Sequence, residues 1–332
     1  MNIHPPIAYL VVTLMLSFMA ASIKKSQIID FFGEKILKDA DERRATLLLV
    51  ALSFILAPFF LSFVLISTFD KWLLRFQERE KTLTLLVASA LVGSIIAPFG
   101  NLNNVFVTIA LGNGSPNLSI YAFISIMLPL WISGLVILLS LSYFLCGKNK
   151  IKETSSNTQW RKKELIFSLV LFIFIFGYFN VGKHYNLNLF GLIILGGVFA
   201  IAFMGIEPLK AVNWWFLIPV GVSFVIYYLC RLFPLPDLKL SPLVVYSIGS
   251  VGSAGLSSNV LSFVLSLLKY DTSLILYSVS VGGLAGMLGS YESILIWKKG
   301  RIRIKWNLMF KIFAIFLLVS LIILFKRGGL YG

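Results

Sequence analysis

Ala97-Pro98-Phe99-Gly100-Asn101-Leu102-Asn103-Asn104 interrupts a long apolar run, residues 82–111, with a proline, a glycine and three asparagines. Two further interruptions come late in the chain. Gly249 to Asn259 reads GSVGSAGLSSN, and Gly282 to Glu292 reads GGLAGMLGSYE. Inside a bilayer an interrupted helix is tolerated only where it is buried in protein or lines a cavity. Interruptions in corresponding places of two halves are the best sequence pointer to a transporter's binding site.

The surroundings of these breaks make the bilayer the expected solvent. The 332 residues are 58% hydrophobic with a mean hydropathy of +0.90, against about 45–50% apolar in a soluble domain. Ile7 to Ile23 lacks a basic leader and a small-residue cleavage site, so it reads as a retained helix. The net charge of +15 sits in short loops between apolar runs. That placement points to topology signals and anionic lipid rather than to nucleic acid. Cys146 and Cys230 lie at the ends of apolar segments, with no metal or redox spacing, and a disulfide is not expected. His4 and His184 lie outside the apolar segments, which argues against a histidine metal site or proton relay.

Ten apolar segments can be drawn: 7–23, 45–68, 82–111, 119–146, 165–181, 189–205, 213–230, 241–268, 272–297 and 306–325. If each crosses once, the Lys and Arg of alternate loops divide 14 against 14, and the positive-inside rule fails. If 45–68 and 241–268 are re-entrant hairpins, loops 24–44, 69–81, 147–164, 206–212 and 298–305 share a face and carry 22 basic residues against 6. Pro58 in the first hairpin, and Gly249, Gly252 and Gly255 in the second, are helix-breaking residues in suitable places. The expected fold is an all-α integral membrane protein of about eight spans and two re-entrant hairpins. It would form two inverted repeats, 1–146 and 165–332, around the basic linker 147–164, with broken spans 82–111 and 272–297 at the midplane. Loops 24–44, 69–81, 147–164 and 298–305 would be cytoplasmic.

Five motifs in order then resemble the ion transporter superfamily of arsenite permeases, divalent anion:sodium symporters and citrate transporters. FFGEKIL at 31–37 is similar to its interfacial stretch, and APFGNLNN at 97–104 to its TPxGNPxN element. VNWWFL at 212–217 resembles its VNW motif, GLSSNV at 255–260 its second-hairpin tip, and GGLAGMLGS at 282–290 its GGxxTPIGS element. The chain departs from the family in two places. Leu56-Ala57-Pro58-Phe59-Phe60 stands where the family has a polar hairpin tip, and Met287-Leu288 stands for its Thr-Pro pair. The resemblance also lacks two N-terminal spans. It implies homodimers, a site between hairpin tips and broken helices, and elevator-type alternating access.

The site chemistry follows from broken helices, whose free N–H ends suit anions and whose free C=O ends suit cations. Gly100, Asn101, Asn103 and Asn104 from the first break are candidate substrate-binding residues. Ser257, Ser258 and Asn259, with Gly286, Gly289 and Ser290, are their counterparts in the second half. Glu292 is the carboxylate placed well inside a span, and is the candidate for ion coupling by sodium or a proton. No arginine lies mid-span, which favours a small anion or weakly charged oxyacid, with the lipid bilayer and a second copy as partners. No cofactor, no metal and no enzymatic activity are expected. The alternatives are a sodium/proton antiporter on the same scaffold or a membrane-embedded transferase.

Overall fold

The computed structural model describes residues 5–38, 40–60, 65, 72–98, 104, 120–151, 159–177, 198, 202, 221, 222, 225, 226, 228, 229, 232, 240–255, 258–267, 270–284 and 303–328. The described regular elements are helices. They are α1 (Pro5–Ser26), α2 (Ile28–Leu37), α3 (Glu42–Phe60), α4 (Arg79–Gly93), a 3₁₀ turn (Ser94–Ile96), α5 (Ile120–Leu145) and α6 (Lys162–Gly177). Then follow α7 (Pro242–Gly255), α8 (Ser258–Leu267), α9 (Thr272–Gly282) and α10 (Trp306–Lys326).

The expected count of about eight spans does not hold. Among the described residues two helices, α5 and α10, are long and apolar enough to cross a membrane. At 1.5 Å per residue they reach about 39 and 31 Å, against a hydrocarbon core of about 30 Å. Both present apolar side chains outward, Ile132, Val136 and Phe144 from α5 and Phe310, Leu318 and Ile322 from α10. Only 28% of each apolar window is buried, unlike the core helix of a soluble protein. Segments 82–111, 241–268 and 272–297 make shorter pieces: α4 has 15 residues, α7 14, α8 10 and α9 11, which is about 15 to 22 Å each. A run of hydropathy reports apolar surroundings, not the length of one continuous helix. The repeat-and-hairpin scheme built on eight spans loses its basis with that count. Segments 189–205 and 213–230 lie largely outside the described residues.

Pro58 does not split α3, which runs through it to Phe60. Its missing N–H leaves the Phe54 carbonyl without its helical donor. That carbonyl faces Gly93 at the end of α4, where a Cβ would overlap the Phe54 backbone. The helices therefore touch backbone to backbone. The pair α7 and α9 repeats the relation, because a Cβ on Gly282 would overlap the Ser250 carbonyl.

Hydrogen bonds set the levels of the elements. Lys81 Nζ donates to Leu145 O at 2.8 Å, and Lys305 N donates to Thr84 Oγ1 at 2.9 Å. The start of α4 therefore lies at the end of α5 and the start of α10. At its other end, Trp131 Nε1 of α5 donates to Gly93 O at 3.0 Å, and Gly134 of α5 is pressed on Val92 and Phe316. Trp131, Gly134 and Phe316 lie near the middles of α5 and α10, so α4 stops halfway along both. Every residue from Thr82 to Gly93 is buried.

α9 enters from the opposite end. Asp271 caps it by accepting from Ser273 N at 2.8 Å and Leu274 N at 3.2 Å and is exposed, while Gly282 and Leu284 are buried. Tyr277 OH donates to Ile126 O at 2.6 Å, close to the start of α5. Pro129 leaves Ser125 O without its helical donor, and Arg327, at the end of α10, donates to Ser125 O at 2.9 Å and Ile126 O at 3.2 Å.

Three of the basic loops, 24–44, 69–81 and 147–164, are tied together at one end. Arg75 makes a two-pronged ion pair with Glu34 at 2.8 and 3.0 Å. Arg161 N donates to Ser26 O at 2.8 Å. Glu42 is buried, accepts from Gln77 N and from Asn149 Nδ2, and donates its own N–H to Asn149 O at 2.8 Å.

Candidate functional site

The end of α4 is where the opening sequence break becomes geometry. A helix leaves its last carbonyls without partners, and here nearly every one from Ala90 to Ala97 is satisfied. Ser94 N donates to Ala90 O and Val92 O, and Ser94 Oγ donates to Leu91 O at 2.7 Å. Trp131 takes Gly93 O. Asn104, 1% exposed, donates from Nδ2 to Ser94 O at 3.3 Å, Ile95 O at 3.2 Å and Ala97 O at 2.8 Å. One amide NH₂ has two hydrogens, so three carbonyls share them. The result is a buried knot of carbonyl oxygens held by neutral donors. Its partial negative charge favours a cation or a hydrogen-bond donor over an anion on that side.

Asn104 is thus a cap for the broken helix in this structure, with its amide hydrogens spent on the protein's own backbone. Gly100, Asn101 and Asn103 lie outside the described residues. Ser258 is fully buried at the start of α8, where its carbonyl accepts from Ser262 Oγ at 2.5 Å. Asn259 is placed by its backbone in the first turn of the same helix. Ser257, Gly286, Gly289, Ser290 and Glu292 lie outside the described residues.

The end of α9 forms a second polar point. Gly283 N donates to Val279 O at 3.0 Å and Leu284 N to Val281 O at 3.0 Å, closing the helix in a tight turn. Ser253 of α7 lies against Gly282. Its hydroxyl is buried with no hydrogen-bond partner among the described residues, whereas Ser250 and Ser278 bond back to Tyr246 O and Ile275 O. A buried hydroxyl with no partner costs about 1–3 kcal/mol, which a polar ligand at the end of α9 would recover.

The sequence missed the residues that seal the first break. Trp131 reads as one more aromatic in an apolar helix. Gly93-Ser94 reads as part of an unbroken run, although a Gly-Ser pair a few residues before a proline is a fair signal of a helix end. No group of three or more His, Cys, Asp or Glu side chains is placed to hold a metal ion among the described residues.

Cys146 lies just beyond α5, 3% exposed, and burial pushes its thiol above the usual value, although Thr46 and Lys81 pull the other way. The thiolate is the reactive form, so at pH 7 both access and ionisation oppose reaction. Cys146 is expected to resist maleimide in the folded protein and to react rapidly once the protein is unfolded in denaturant, which peptide mapping of the labelled chain would read.

No protein-family model matches this chain, and no curated protein matches it.

Proposed function

We propose that the protein is a membrane-embedded secondary transporter for a small anion or oxyacid, arsenite-, citrate- or dicarboxylate-like, driven by a sodium or proton gradient. One observation carries the reading. Two short buried helices, α4 and α9, enter from opposite ends of the α5–α10 pair, and both stop inside it at glycine-rich breaks. A helix end inside a bilayer is expensive unless it serves a polar ligand or is fully capped. The α4 end is capped by neutral groups and leaves a carbonyl surface suited to a coupling cation. The α9 end keeps a buried serine hydroxyl without a partner. The motif resemblance to the ion transporter superfamily supports the same reading. The basic loops gathered at one end would face the cytoplasm, and alternating access would expose the space between the two breaks to each side in turn.

The test is flux in proteoliposomes containing the purified protein. Arsenite, citrate, a dicarboxylate, sulfate and sodium would each be followed with and without a sodium or proton gradient. Gradient-dependent flux of one anion is expected, abolished by Asn101→Ala and reduced by Ser253→Val. Folded protein that moves none of them would overturn the proposal. Sodium flux coupled to protons, without an anion, would instead establish the antiporter.

A further inference from the structure

A cleft of about 330 Å³ opens between α2 and the start of α3 at the basic end of the molecule. Lys35, Lys38 and Arg44 line it, together with Phe32, Ile36, Ala40 and Leu48. The three cations are exposed, and no carboxylate lines the cleft among the described residues. The nearby acids among the described residues are turned to other work. Glu34 is held by Arg75, Glu42 is buried among Gln77 and Asn149, and Asp41 Oδ1 accepts from the backbone N–H of Arg44 at 2.7 Å.

The walls are as informative as the charges. Phe32 and Leu48 are 41% and 43% exposed. Leu48 begins a stripe on α3 that continues through Leu52, Ile55 and Phe59, at helical spacings of four, three and four residues. Ile55 and Phe59 are 52% and 50% exposed, and Leu52 is half-buried. From Arg44 to Phe59 the stripe is about 22 Å long at 1.5 Å per residue, enough for an acyl chain reaching past the middle of a bilayer of about 30 Å. Positive charge at one end and an apolar rail leading away from it complement an amphiphile with an anionic head.

We propose that this cleft binds one anionic phospholipid, its phosphate held by Lys35, Lys38 and Arg44 and one acyl chain laid along Leu48, Leu52, Ile55 and Phe59. The site rests on the membrane reading but not on transport, so it stands or falls separately from flux. α2 lies along the basic end rather than across the molecule and joins the loop held by Glu34–Arg75, so a lipid in the cleft would brace the loops that carry α3 and α4.

The experiment uses the full-length protein in detergent, titrated with phosphatidylglycerol, phosphatidylcholine or soluble glycerol 3-phosphate and read by native mass spectrometry and by melting temperature. Phosphatidylglycerol alone is expected to bind and to raise the melting temperature. Lys35→Gln/Lys38→Gln/Arg44→Gln is expected to weaken that binding on the order of 100-fold, since each basic residue near an anionic headgroup contributes about 1 kcal/mol. Lys148→Gln/Lys162→Gln/Lys163→Gln removes the same charge at the same end and is expected to change it less than about twofold. Ile55→Ser should weaken phosphatidylglycerol while folding normally. Equal effects of the two triple variants would reduce the cleft to general surface charge and overturn the proposal. Equal binding of phosphatidylcholine, or glycerol 3-phosphate binding as tightly as the lipid, would overturn it too. If the cleft variant fails to fold, Arg44→Gln alone and Ile55→Ser decide the matter by the same comparison.

Discussion

Gly93→Ala is expected to destabilise the protein by about 3 kcal/mol, at the upper end of what one added methyl does in a packed core. The reason is the identity of what it meets. A Cβ on Gly93 would overlap the carbonyl oxygen, Cα and carbonyl carbon of Phe54. A side chain could rotate away, but the backbone of α3 cannot move without carrying Phe54, which packs on Trp131 with ring centroids 4.9 Å apart. Trp131 in turn holds Gly93 O, so the same methyl would loosen the cap of α4. Gly282→Ala should behave alike, because it meets the Ser250 carbonyl and the Ser253 side chain. Gly255→Ala is the control: a Cβ there meets nothing within 4 Å, and the melting temperature should stay the same or rise slightly. Thermal melts of the three variants in detergent check this. Wild-type stability in Gly93→Ala would show that α3 and α4 do not touch backbone to backbone.

Asn104 supplies the second large effect. Asn104→Ala removes the donor from Ser94 O, Ile95 O and Ala97 O at once. Each buried group left unsatisfied costs about 1–3 kcal/mol, and because the three share two hydrogens the total should be about 3 kcal/mol rather than their sum. The more telling variant is Asn104→Asp, which keeps the shape but sets a carboxylate against three carbonyl oxygens. It should melt below the alanine variant. If Asp were instead tolerated, particularly with raised stability in sodium, Asn104 would be serving as an acceptor toward a cation and not as a cap. Melting curves of both variants in sodium and in choline separate the two roles.

The break at 97–104 was legible because proline, glycine and asparagine inside an apolar run conflict with every local preference of a buried helix. Helix identity was legible for the same reason: long apolar runs bounded by charge. The number of spans was not. Residues 82–111 and 241–268 carry visible breaks, but a break alone does not say whether the flanking apolar residues form one kinked spanning helix or stop as a helix of 15 residues or as two of 14 and 10. Pro58 misled in the opposite direction. Two residues from the end of α3 its lost hydrogen bond is affordable, and the freed carbonyl became a contact surface. Asn104 reads in the sequence as a substrate-binding candidate, and only the tertiary structure shows its amide on the carbonyls of Ser94, Ile95 and Ala97.

Composition alone set the expectation of an apolar solvent, since 58% hydrophobic residues exceed the usual share of a soluble domain, and two helices are long and apolar enough to cross a membrane among the described residues. Charge placement grouped the basic loops only when two hairpins were assumed, whereas hydrogen bonds and an ion pair in the structure tie loops 24–44, 69–81 and 147–164 together directly. The depth at which α4 stops, the partners that seal it and the cationic cleft with its apolar rail depend on residues in separate elements: Gly93 with Phe54 and Trp131, Asn104 with Ser94, Arg44 with Lys35. Local preference acts within a turn or two of helix, whereas these relations arise only when separate helices pack, so the tertiary structure decided them.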